Sequence, residues 1–162
     1  MSMTQVAFLR KAHIPTKTQI EETIQGLGYD FKILGDSENI TELHGLSCSI
    51  NGHETFFETY FDQPTEITND WNWIKPDLTN QDSAISFVWG VDFAAGACIG
   101  LISIALIDKG QALIYYLDDE MKYSREMLVA DIPQFMSEIE KQKKNTIPSS
   151  TEPKPTKIVE TD

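Results

Sequence analysis

The chain has 162 residues, 41% apolar and 23% charged, which suits one domain with a proper core and excludes both wholesale disorder and two comfortable domains. Thirteen Lys and Arg against twenty-five Asp and Glu leave a formal charge of −12. That balance repels nucleic acid and anionic membrane and favours basic partners.

Residues 4–10, TQVAFLR, read as a first strand. In MSMTQVAFLRKAHIP the basic residues follow the short apolar run instead of preceding it, which is not the order of a secretory signal and leads us to expect a cytoplasmic chain. In IPTKTQIEETIQGLG, Thr16 and Gln19 have the spacing of a capping box, Ile20, Ile24 and Leu27 share one helical face, and Gly28 can end the helix. YDFKILGD alternates as a strand does. GLSCSI and HETFFETYF, separated by Asn51-Gly52, carry the strongest short-range hairpin signal. Residues 62–82 are rich in Asp, Asn, Pro and Thr, with WNWI embedded, and read as a long loop with room for one helical turn. SAISFVWG is again a strand, a helix follows over 92–107, and QALIYYL is the last strand. LDDE at Leu117–Glu120 reads as the turn after it.

In the final helix, residues 124–144, the positions Leu128, Ile132, Phe135, Met136 and Ile139 have helical spacing. Pro133 predicts a kink or restart there, with Asp131 as a new cap. Residues 146–162 have no apolar period and several prolines, and read as a disordered tail after one globular domain, 1–145. The order β-α-β-β-β-β-α-β-α, with no internal repeat, defines an α+β fold: a largely antiparallel sheet with helices packed mainly on one face.

The run Phe93–Ile107 carries fifteen consecutive uncharged residues. As a helix it rises only about 22 Å, short of the roughly 30 Å hydrocarbon core of a bilayer. We read it as a buried spine, thinned by Gly96 and Gly100 so that it approaches the sheet closely. Its glycines fall inside the helix and not in the preceding turn. Asp92 puts a carboxylate where a phosphate would sit, so we expect a helix cap there and not a nucleotide site.

No metal-ligand spacing links His13, His44 and His53, and no nucleophile elbow or zinc-protease helix is present. Cys48 and Cys98 read as small buried hydrophobes, because a Cys48–His44 dyad would need a strained turn. Neither a catalytic set nor a cofactor is expected. The stretch that stands out is HETFFETYFD. As a strand it turns Thr55, Phe57, Thr59 and Phe61 one way, and Glu54, Phe56, Glu58, Tyr60 and Asp62 the other. Such a strand is either half covered by a helix or loop, or presents an open acidic-aromatic strip. Residues 29–92 also hold twelve acidic and two basic side chains, a balance of −10, together with Trp71 and Trp73. These tryptophans either lid the core or anchor a partner. The binding residues expected are Glu54, Glu58, Tyr60, Asp62, Asp70, Trp71, Trp73 and Asp77.

The opening VAFLRK…IPTKTQIEETI, the HETFFETYF strand, and ISFVWGVD running into a small-residue helix together resemble a group of small uncharacterised acidic bacterial proteins. Such proteins occur among the immunity proteins of contact-dependent and secreted toxin systems. The resemblance covers about the first 130 residues and transfers no residue role. It implies a non-enzymatic cytoplasmic protein that binds and neutralises a toxin domain. Nuclease toxins are basic because they bind phosphate backbones, so an acidic surface with aromatic anchors would suit that task. The alternative is a small-molecule-binding or metabolic domain with a pocket near Trp89 and Asp92, lined by Tyr115 and Tyr116. A blocker should hold its strip flat and open, with no sizeable cavity. An enzyme should bury at least two titratable groups in a concave apolar pocket.

Overall fold

The computed structural model describes residues 2–146, so all of the expected tail except Thr146 lies outside the described residues. Seven strands form one sheet: β1 (Met3–Leu9), β2 (Phe31–Ile33), β3 (Gly45–Ile50), β4 (His53–Asp62), β5 (Ser83–Trp89), β6 (Leu113–Tyr116) and β7 (Met121–Tyr123). Their spatial order is β2-β3-β4-β5-β1-β6-β7, and every neighbouring pair is antiparallel. The helices are α1 (Lys17–Gly26), α2 (Pro64–Thr68), α3 (Phe93–Gly110) and α4 (Arg125–Thr146). The α+β architecture is the one expected, with a seventh strand and the short α2 added.

Local chemistry explains several boundaries. At α1, Thr16 Oγ1 accepts from the Gln19 amide at 3.1 Å while Gln19 Oε1 accepts from the Thr16 amide at 2.9 Å, a complete capping box. Gly28 follows with φ of 99°, the left-handed geometry that ends the helix. The Asn51-Gly52 turn has φ of 47° and 87°, the sign a tight β3–β4 hairpin needs. Ser124 caps α4 by accepting from the Met127 amide at 3.2 Å. Contrary to expectation, α4 runs without a break through Pro133, and Asp131 caps nothing. The proline removes one hydrogen bond, to the carbonyl of Val129, at a place where both residues are exposed and water can substitute.

The main core lies on one face, where α1, α3 and α4 pack. It joins Ala7, Leu9, Phe31, Leu46, Ile50, Phe57 and Phe87 of the sheet to Ile20 and Ile24 of α1, almost all of α3, and Leu128, Ile132 and Ile139 of α4. Helix α3 is long and apolar enough to span a bilayer by composition, but it is mostly buried within this fold. It is enclosed by the sheet on one side and by its neighbouring helices on the others, which is why it is apolar all round. Gly96 and Gly100 correct one expectation. They face α4, not the sheet: a Cβ on Gly96 would lie 2.6 Å from the Phe135 ring, and one on Gly100 would lie 2.7 Å from Ile132 Cδ1.

A second, smaller core sits on the opposite face. Val6, Phe8, Ala84, Tyr115 and Leu117 are covered there by Ile67 of α2 and by Ile74 of the 3-10 turn Asn72–Asp77. The segment read as a loop is therefore a lid. Tyr115 is its hinge pin: its hydroxyl donates to Asp77 Oδ2 at 2.7 Å, and its ring meets Phe8 and Trp73 edge-on, each at 5.6 Å.

Candidate functional site

The lid covers β1, β5 and β6 and stops short of β4, which leaves one part of that face open. The register puts Glu58 beside Val88, Tyr60 beside Ser86, and Asp62 beside Ala84, so the outward residues of β4 share a face with the small core. Glu54, Phe56, Glu58 and Tyr60 are all exposed on it, Phe56 by 61% and Tyr60 by 49%. Of their inward neighbours Thr55, Phe57 and Thr59 are buried, whereas Phe61, expected with them, is exposed near the strand end. Tyr60 Oη donates to Glu58 Oε1 at 2.8 Å, and this bond and the charge of Glu58 push the phenol pKa up. Asp62, half-buried at the strand end, has its carboxyl pushed up by burial and then by Glu66. The Phe56 ring is propped over Gly45 on β3, where a Cβ would collide with it.

The eight expected binding residues thus fall into two groups. Glu54, Glu58, Tyr60 and Asp62 follow one another along β4. Asp70, Trp71, Trp73 and Asp77 belong to the lid. Trp71 is half-buried against the small core, and Trp73 is about one-third exposed while packing on Tyr115. Asp77 holds the Tyr115 hydroxyl and lies 3.9 Å from Lys122. Both tryptophans pack as parts of the lid, and Trp73 keeps about one-third of its surface exposed. Phe56 was visible in the alternation but left out of the expected anchors, and it is the most exposed aromatic of the strip.

A cavity of about 280 Å³ opens on the opposite side of the sheet, in the wedge between α3, α4 and the β5-β1-β6-β7 strands. Tyr116 lines it together with Trp89 and Asp92, as the alternative expected, whereas Tyr115 points to the other face. Gly96 and Gly100 leave space on its α3 wall, and Phe93 and Phe135 add aromatic surface. Trp89, Tyr116 and Tyr123 form a series of rings with successive centroids 6.0 Å apart. Its two carboxylates, Asp92 and Asp131, are exposed and therefore lie at its mouth.

Asp92 performs the expected capping. Its Oδ1 accepts from the Ala94 amide at 3.0 Å, and its Oδ2 accepts from the Thr55 hydroxyl, tying α3 to β4. Asp92→Ala should lower the unfolding free energy by about 0.5–2 kcal/mol, read from the denaturant midpoint, with Asp92→Asn losing less.

Tyr115, Tyr116 and Tyr123 all have phenol pKa values pushed up, chiefly by burial, with Asp77, Asp118 and Asp131 as the leading charged neighbours of each in turn. The fold therefore favours the neutral phenols. Their contribution is complete below the unfolded value of about 10 and is lost as pH rises through the folded values. Unfolding free energy should fall above about pH 10, and less steeply in Tyr115→Phe, when phenolate absorbance and denaturation are followed together.

The cysteines are fully buried and free, and His44 is exposed, so Cys48 and His44 do not meet as a dyad. Contact with Cys48 and then burial push the Cys98 thiol far above its ordinary range, which makes it a poor nucleophile. Among the described residues no cluster of His, Cys, Asp or Glu has the geometry to hold a metal ion. No family model, curated protein or solved structure matches this chain.

Proposed function

We propose that this chain is a non-enzymatic cytoplasmic binding protein of the immunity or inhibitor kind, which neutralises a basic toxin domain through the outward face of β4. One observation carries the reading: Glu54, Phe56, Glu58 and Tyr60 stand exposed in a row where the lid leaves the sheet uncovered. A large exposed aromatic between carboxylates has no core to serve. It gives a partner rigid contact area, and the charges meet Arg or Lys. Lys32 is the one cation that the alternation puts on this part of the face, one strand beyond Ser49. The net charge of −12 adds long-range attraction for a basic partner and none for nucleic acid or anionic membrane.

The test is capture of a partner with the intact chain, from its native cytosol or from the product of the neighbouring gene, followed by association rates over a range of salt. The expected partner is basic, and its association slows steeply as salt rises. An acidic partner, or a salt-independent rate, overturns the reading.

The small-molecule reading is favoured by a separate observation, the aromatic cavity on the other side of the sheet.

A further inference from the structure

We infer that the cavity between α3, α4 and the β5-β1-β6-β7 strands is a binding site for a small organic cation, an apolar body carrying one ammonium group. The site is independent of the β4 strip, because it opens on the helical face of the sheet and not on the lidded one. Its existence follows from two packing decisions. Glycines at 96 and 100 withhold side chains from the α3 wall, and Phe135 and Ile132 of α4 rest on them without filling the wedge behind. The result is about 280 Å³ of space, room for a guest on the order of ten non-hydrogen atoms at the roughly 30 Å³ that a water occupies in the liquid.

The lining specifies the guest. Trp89 stands at one end of the ring series and is 9% exposed, with Tyr116 and then the stacked Tyr123 beside it. Aromatic rings attract cations through their negative faces, more strongly where water is excluded. Among the described residues no Lys, Arg or His lines the cavity, and the carboxylates at its mouth are those of Asp92 and Asp131. Arg125, at the start of α4, is held elsewhere by two bonds to Asp108, at 2.7 and 3.0 Å. At the inner wall Gln5, 4% exposed, donates from Nε2 to Ser103 Oγ at 2.7 Å. An anion would meet two carboxylates. A neutral hydrocarbon would leave the carboxylates unused. An ammonium with an aromatic or branched alkyl body puts its body in the aromatic wedge and its charge at the carboxylates of the mouth.

The test uses the full chain with Trp71→Phe and Trp73→Phe, which leaves Trp89 as the sole tryptophan and gives one indole N–H resonance. Two probes of the same shape are titrated, benzyltrimethylammonium and its uncharged carbon analogue, neopentylbenzene. Benzyltrimethylammonium is expected to shift the Trp89 resonance saturably and to bind about tenfold or more tightly than neopentylbenzene. Asp131→Asn, an exposed and nearly isosteric change, should weaken the cation by about three- to tenfold and leave the hydrocarbon unaltered. Equal or tighter binding of neopentylbenzene overturns the cation assignment. Failure of both probes to move the resonance at millimolar concentration overturns the site itself. Neither result bears on the β4 strip, which these variants leave intact.

Discussion

Gly100→Leu lowers the unfolding free energy by about 1–3 kcal/mol, whereas Gly100→Ala costs much less. The difference follows from what lies opposite. A Cβ at position 100 meets the terminal methyl of Ile132 at 2.7 Å, too close to stay as it is, but Ile132 also lines the cavity and its methyl can turn into that space. Three further carbons must compete with that displaced methyl for the cavity that Gly100 also lines, because α3 is buried nearly all round and cannot rotate without moving the sheet contacts of its other faces. The strain therefore falls on the α3–α4 interface. For a domain of this size about 2–4 °C of melting temperature is lost per kcal/mol. Denaturant unfolding should give the loss as a shifted midpoint with an unchanged slope. Full stability in Gly100→Leu would show that α4 does not rest on this glycine.

Features governed by neighbours in the sequence were legible beforehand. The Thr16–Gln19 capping box, the Asn51-Gly52 hairpin and the Asp92 cap each involve residues within a few positions of one another, and all are present. Alternation in HETFFETYFD likewise sorted buried Thr55, Phe57 and Thr59 from exposed Glu54, Phe56, Glu58 and Tyr60. What stayed hidden depends on distant partners. Residues 64–77 carry loop chemistry, yet they form a lid because Tyr115 presents a buried hydroxyl to Asp77, thirty-eight residues away. Strand β7 is three residues, Met-Lys-Tyr, with almost no pattern of its own, and it exists because β6 offers an unpaired edge. Glycines at helical spacing announce a close approach but not its partner, which is why Gly96 and Gly100 were assigned to the sheet and in fact meet α4. The cavity was glimpsed through Trp89, Asp92 and Tyr116. Its far wall on α4 could not be inferred, because Asp131 looked like a cap and Phe135 like ordinary core.

Glu54→Lys with Glu58→Lys slows association with the basic partner, whereas Phe56→Ala speeds dissociation. The asymmetry separates the two roles proposed for the strip. Both glutamates are exposed, so their charge acts mainly during approach, where a field that extends about 8–10 Å at physiological salt steers the encounter. Reversing them should reduce the on-rate most at low salt and hardly at all at high salt. Phe56 acts after contact. It is the largest exposed apolar surface of the strip, already propped over Gly45, and a partner that closes over it excludes water with little further ordering. Its truncation should cost about 2–4 kcal/mol of binding energy if it lies at the centre of the interface, nearly all of it as faster dissociation. Tyr60→Phe should have a milder effect, since it keeps the ring and removes only the hydroxyl that donates to Glu58. Trp73→Ala is a poorer probe of the interface, because that ring packs on Tyr115 and its loss also loosens the lid. The measurement is surface-based kinetics with the captured partner at two salt concentrations, with thermal melts to show that each variant folds. If charge reversal leaves association unchanged at low salt, or if Phe56→Ala dissociates no faster than the parent chain, the outward face of β4 is not the binding surface.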